Sequence, residues 1–319
     1  MRIGHYAPRV HAPGGITTYI RSTGTAQSER GHDVAYLSRD PKEAASDRNV
    51  YAIDSDVDLF ETARALDLDV LHLHKSVGTL PEDRVPTLRT MHGHQGSCPS
   101  GSRYLSRPGL PCNRTPSLGG CLWGHVVDRC GSVRPGNLAS NFRRLRHEVD
   151  FANRVRTLTV SDFLRDRMID AGCPPGQIQT LRSPAPTVGS PSPVDGSDPP
   201  RFLFLGRLVP QKGIMWLLRA FRETPPEATL DVAGDGDMME NAQAFVRRHG
   251  LEDRVTFHGW VDEGRVTPLI QAARAVVFPS VWHEPAGLVS LEGAAHGRAL
   301  IASRAGVIPE YATEAYALL

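Results

Sequence analysis

The feature that most constrains this chain is an alternation of short apolar runs with amphipathic ones, broken once by a segment that can be neither. Residues 2–7, 33–38, 70–74, 85–92, 156–160 and 177–181 read as strands, and 15–30, 57–66, 137–153 and 163–171 carry helical periodicity. Ser161 stands where a helix N-cap is needed. Then 183–200 reads SPAPTVGSPSPVDGSDPP, too rich in proline, serine and glycine for either period. Alternation resumes with strands at 202–205, 229–233, 255–258, 275–279 and 300–302, and helices at 214–222, 237–249, 266–273 and 288–296. Strand–helix alternation implies parallel sheets covered on both faces. With 319 residues to place, the expected fold class is α/β: two Rossmann-like, doubly wound parallel-sheet domains. They would occupy 1–183 and 201–319, joined by a linker at 184–200, with 93–134 as an irregular Cys/Arg-rich insertion in the first.

Composition excludes several classes. An apolar fraction of 40% with 22% charged residues is that of a globular protein, not a disordered one. No apolar run approaches the ~18 residues of a spanning helix. The first six residues look like a strand rather than a signal peptide. A cytoplasmic protein is expected, with its five cysteines reduced. A net charge of +1 gives no reason to expect nucleic acid. Between 89 and 146, however, nine arginines face a single acid, Asp128. Either an anionic or polymeric partner meets that stretch, or it is a solvated basic face. The helix holding Phe142, Leu145 and Val149 on one side and arginines on the other is read as core-packed, or as a peripheral contact with the inner face of a membrane.

Three loops carry candidate chemistry. Gly14 and Gly15 open the first helix directly after the first strand, so the backbone can approach an anion at a helix start. Arg207 and Lys212 flank the turn after the first strand of the second half, where open α/β sheets bind ligands. In Glu284-Pro-Ala-Gly287-Leu288-Val-Ser-Leu-Glu292 the amides of Gly287 and Leu288 can meet a phosphate. Eight positions later, about two helical turns, Glu292 can accept from a cis-diol.

Together these loops resemble the retaining glycosyltransferases of family 4, of the GT-B fold, in order and spacing. Gly234-Asp-Gly and the Phe257-His-Gly-Trp-Val261 strand end are similar to further donor-site loops. The resemblance implies two domains facing each other, and a nucleoside diphosphate sugar, of UDP or GDP type, as donor. Arg207 and Lys212 would hold the diphosphate, Glu292 the ribose and Glu284 the transferred sugar. Gly14 and Gly15 would close over the diphosphate, and Val261 would flank the base. His92, at a strand end, stands where the family places a histidine beside the reacting sugar; His74 is a weaker candidate for the same pocket. Ala286 replaces the family's usual aromatic residue, and Arg182-Ser-Pro its Asn-Gly step. Cationic side chains and helix termini would stabilise the leaving diphosphate in place of a divalent ion, so no metal is expected to be required for the chemistry.

Cys98, Cys112, Cys121 and Cys130 fall within 33 residues but lack paired Cys-x-x-Cys knuckles. A subset of the family carries a similar stretch. A structural zinc or iron–sulfur centre, or free thiols, are the open readings. The activity expected is a retaining hexosyl transfer to an acceptor hydroxyl in carbohydrate biosynthesis. The alternatives are an epimerase or phosphorylase on the same fold, or a non-catalytic sugar-nucleotide or metal-binding module. The family's C-terminal helices have no counterpart before Leu319, so the second domain is expected to be truncated.

Overall fold

The computed structural model describes residues 1–186, 188, 199–312 and 317–318; most of the linker expected at 184–200 therefore lies outside the described residues. The chain divides into two compact units: one of 1–102, 114–125 and 131–184, and a second of 103–113, 126–130 and 185–319.

In the first unit, β1 (Arg2–Ala7), α1 (Gly15–Glu29), β2 (Asp33–Ser38), α2 (Pro41–Ser46), β3 (Val50–Ala52), α3 (Asp56–Ala65), β4 (Val70–Leu73) and β5 (Thr87–Met91) follow one another. Two-residue strands β6 (Tyr104–Leu105) and β7 (Leu110–Pro111) then pair antiparallel and belong to the second unit. Helices α4 (Leu118–Val126) and α5 (Pro135–Arg154), strand β8 (Arg156–Thr159), helix α6 (Asp162–Asp170) and strand β9 (Ile178–Thr180) complete this half. The sheet order is β3-β2-β1-β4-β5-β8-β9, all parallel. Ser161 caps α6 as expected, its hydroxyl accepting from Leu164 N at 3.2 Å.

The second unit runs β10 (Arg201–Leu205), α7 (Ile214–Phe221), β11 (Thr229–Ala233), α8 (Met239–Arg248), β12 (Val255–Gly259), α9 (Glu263–Ala272), β13 (Ala275–Phe278), α10 (Leu288–Ala295), β14 (Ala299–Ala302), α11 (Ile308–Tyr311) and β15 (Ala317–Leu318). Its parallel order is β12-β11-β10-β13-β14-β15. Successive residues of one strand go to opposite layers. Phe204 and Val277 pack with Leu218, Phe221 and Val246, whereas Leu203 and Val276 pack with Val261 and Ile270. That two-sided burial is why these strands are continuous apolar runs rather than alternating ones.

Both sheets are doubly wound. Their strand order reverses between β1 and β4, and between β10 and β13. The carboxyl edge at such a reversal is where open α/β sheets hold ligands.

Candidate active site

Most of the predicted residues of the second unit gather at its reversal. Gly206 and the exposed Arg207 follow β10; Lys212 ends the short turn before α7; residues 279–287 connect β13 to α10. Lys212 Nζ lies 2.7 Å from Glu284 Oε1, and Ser280 Oγ lies 2.5 Å from the same oxygen. Glu284 is only 4% exposed. The ammonium also sits over the Phe278 and Trp282 rings, 5.1 and 5.7 Å from their centres. Backbone ties hold the two loops together, with Val281 N donating to Gln211 O at 2.9 Å. The sequence assigned Lys212 and Glu284 to different parts of a ligand; here they form one partly buried ion pair.

Glycine sets the backbone around this pair. A Cβ on Gly306, at φ +65°, would stand 2.2 Å from Glu284 O and 2.4 Å from Glu284 N. Val307 N donates to that same Glu284 carbonyl at 2.9 Å. Gly234 is as tightly placed, its Cβ position lying 1.9 Å from Gly206 O. Gly287 caps α10, which starts at Leu288, so the first amides of that helix lack intrahelical partners. Glu292, partly buried, lies on the second turn of α10. Val261 departs from the expected picture. It is 8% exposed and packs beneath the sheet with Leu203, Ala233 and Ile270; the exposed residue of that turn is Trp260.

In the first unit Gly14 and Gly15 are exposed, Gly14 being the N-cap of α1. His92 directly follows β5, and Tyr19 of α1 packs edge-on to its ring at 4.8 Å between centres. His74 Nδ1 lies 3.0 Å from His92 Nε2, and His5 Nδ1 lies 3.0 Å from His74 Nε2. Burial pushes His92 down to about 4 and holds His5, His72 and His74 below the ordinary imidazole range. All four rings are neutral near pH 7, so His92 is available as a hydrogen-bonding group rather than as a cation.

Sequence reasoning passed over Ser280, His5 and Gln27. The signal for His5 was available: β1 and β4 are parallel neighbours, and His5 is in register with His72. It also passed over His283, whose Nε2 lies 2.7 Å from Asn113 Oδ1.

The arginine-rich stretch needs correction as a uniform basic face. Arg89 is fully buried, 2.6 Å from Glu148 and 4.6 Å above the Phe151 ring. Arg103 is 1% exposed and donates to Cys112 O at 3.2 Å. Neither can meet a partner. Arg107, Arg129, Arg134, Arg143, Arg144 and Arg146 are exposed. Of the cysteines, Cys98 and Cys121 belong to the first unit and Cys112 and Cys130 to the second. Among the described residues, the set of three metal-type donors that lie mutually within 4.8 Å is His5, His72 and His74, with no cysteine in it.

The signature of glycosyl transferases group 1 matches residues 199–318. The chain carries a glycosyl transferases group 1 domain. This domain holds the Lys212–Glu284 pair, Gly234, Gly287 and Glu292. An uncharacterised glycosyltransferase of Methanocaldococcus jannaschii is 37% identical over 115 residues, 35% of this chain and 29% of that protein. The uncharacterised glycosyltransferase YqgM of Bacillus subtilis is 27% identical over 227 residues, 70% of this chain and 60% of that protein. The match thus covers less than two thirds of the length of either relative. Among solved structures, Anabaena Alr3699/HepE in complex with UDP-glucose superposes with a TM-score of 0.67 at 18% identity, covering 100% of this chain and 85% of that one. The group 1 domain and the unit before it share the GT-B class of α/β fold, each built on a parallel sheet.

Proposed function

We infer that this protein is a retaining hexosyltransferase that moves a sugar from a nucleoside diphosphate donor to an acceptor hydroxyl. The observation that carries the reading is the Lys212–Glu284 pair, partly buried at the sheet reversal beside the exposed Arg207 and the start of α10. In this reading Arg207 and Lys212 hold the donor diphosphate, with the amides at Gly287 and Leu288 completing the anion site. Glu292 accepts from the ribose hydroxyls. Glu284 accepts from hydroxyls of the sugar, and His92, in the first unit, is proposed as a hydrogen-bonding group for a sugar. Gly14 and Gly15, at the start of α1 in the first unit, are proposed to offer backbone amides to an anion. As the bond from anomeric carbon to phosphate oxygen breaks, negative charge grows on the leaving diphosphate, where fixed cations and helix dipoles stabilise it. The acceptor oxygen bonds to the anomeric carbon on the face the diphosphate left, and its proton departs with that diphosphate.

UDP-glucose is the first donor to test, because the HepE complex contains it. The acceptor is proposed to be anionic or polymeric, met by the exposed arginines of 107–146. Leu118 and Trp123 on α4, 67% and 59% exposed, support a peripheral membrane contact in the same region.

The test is a panel of UDP- and GDP-sugars, scored by thermal shift and then by transfer to candidate acceptors. A donor that both stabilises the protein and loses its sugar only when acceptor is present supports the reading. Binding with no release of nucleoside diphosphate under any acceptor would overturn it.

A further inference from the structure

The histidines of the first sheet form a line. His5 on β1 stands in register with His72 on β4, and His74, two residues on, shares the face of His72. His92 begins the loop after the next strand. His5, His72 and His74 are buried; His92 is partly exposed and forms the open end. At the closed end, His5 Nε2 lies 2.7 Å from Gln27 Oε1 on α1. From there the contacts run His5 Nδ1 to His74 Nε2 and His74 Nδ1 to His92 Nε2, each 3.0 Å.

A neutral imidazole has one N–H and one bare nitrogen, so a ring that donates on one side must accept on the other. In a line of such rings the choice at one end fixes every other. Gln27 Oε1 can only accept, so His5 donates from Nε2. His5 Nδ1 then accepts from His74 Nε2–H, and His74 Nδ1 accepts from His92 Nε2–H. One lone pair is left over, on His92 Nδ1. His72 is outside the line, its Nε2 being 2.7 Å from Thr90 Oγ1.

We propose that Gln27, His5 and His74 are positioning residues that lock His92 as the Nε2–H tautomer, so that its Nδ1 is offered as a hydrogen-bond acceptor. A ligand group at His92 must then be a donor. If the transferase reading holds, that group is a sugar hydroxyl, and a donor sugar carrying fluorine in its place binds less well. The tautomer itself does not depend on that reading. A metal on His5, His72 and His74 is the competing use of these side chains. It would need a nitrogen of His5 and of His74, and both nitrogens of each are already engaged in the line.

The test is 15N–1H long-range correlation spectroscopy on histidine-labelled protein at pH 7.5, with His92 assigned by His92→Gln. The expected pattern for His5, His74 and His92 is a pyrrole-type Nε2 and a pyridine-type Nδ1. Gln27→Leu, which removes the acceptor at the closed end, should introduce Nδ1–H signal at His92. Gln27→Glu, which keeps an acceptor, should retain the wild-type pattern. A wild-type His92 protonated at Nδ1 would overturn the proposal without any variant. So would equal shifts in the two Gln27 variants, or zinc released by chelator with a change in all three rings. If the tautomers match but no nucleoside diphosphate sugar turns over, the lock stands and the transferase reading fails.

Discussion

Glu284 Oε1 accepts from two groups at once, Lys212 Nζ at 2.7 Å and Ser280 Oγ at 2.5 Å. The cation assigned to the donor diphosphate is thus already neutralised by the carboxylate assigned to the sugar. Glu284→Gln removes that competing charge and leaves a hydrogen-bonding group of the same shape. It should bind free nucleoside diphosphate at least as tightly as wild type while losing transfer by 100-fold or more, about 2.7 kcal/mol of transition-state stabilisation. Calorimetry beside turnover checks this; a parallel loss in both would remove Glu284 from the sugar.

Lys212→Met is the opposite case. It leaves a carboxylate that is 4% exposed without its cation. A loss of roughly 3 kcal/mol in stability is expected, together with weakened nucleotide binding. Denaturant melts of the variant measure the first, and titration with UDP and GDP the second. Wild-type values in both would mean that the pair is incidental.

Arg89 and Glu148 provide a test of the first unit alone. Arg89→Met strands a buried Glu148 and should cost roughly 3–5 kcal/mol. Adding Glu148→Leu should recover most of that loss, because the uncompensated charge is then gone. A double variant no more stable than the single one would show that the guanidinium's contacts with Thr157 and Phe151 matter more than the charge balance.

The four clustered histidines make a statement about pH. Their folded-state values lie below the ordinary 6.5, down to about 4 for His92. The unfolded chain therefore binds more protons between these limits, and stability must fall as pH drops through that window. Above 6.5 both states are neutral and this contribution is flat. Each ring kept neutral costs about 1.4 kcal/mol per pH unit within the window. Denaturant midpoints from pH 7.5 to 4.5 should show this slope, and His74→Phe should flatten it. A midpoint independent of pH would contradict the burial of these rings.

A Cβ on Gly234 would need the space of the Gly206 carbonyl, at 1.9 Å. Gly234→Ala should therefore destabilise the second unit by at least about 2 kcal/mol and weaken nucleotide binding. A wild-type melting temperature would show that β10 and β11 have room to part at their carboxyl ends.

The alternation of strand and helix was legible because parallel strands buried on both faces are written as apolar runs. Short elements were not. Strand β3 has three residues, too few for any period, and α4, Leu-Gly-Gly-Cys-Leu-Trp-Gly-His-Val, hides its periodicity behind three glycines. Lys212 and Glu284 could be placed in loops after two strands, and Glu292 on the helix that follows, from spacing alone. That Lys212 and Glu284 meet could not, since 72 residues separate them and only the β10–β13 neighbourhood joins their loops. Val261 was read from its loop, whereas its burial follows from the layer beneath β10 and β13. Arg89 was counted with surface arginines because local sequence says nothing of Glu148, 59 residues away on α5.

The contact of Gly306 with Glu284 makes that residue a reporter on the chain behind it. The bond from Val307 N holds the Glu284 carbonyl from one side, and the bare Cα of Gly306 closes it from the other. No side chain lies between them to turn aside and absorb a displacement. A tilt of the 305–308 turn would be handed to Glu284 as movement, much as a rigid lever carries a push from one end to the other. The backbone of the acid is therefore exposed to any force applied to the turn that follows β14, while its carboxylate is held separately by Lys212 and Ser280.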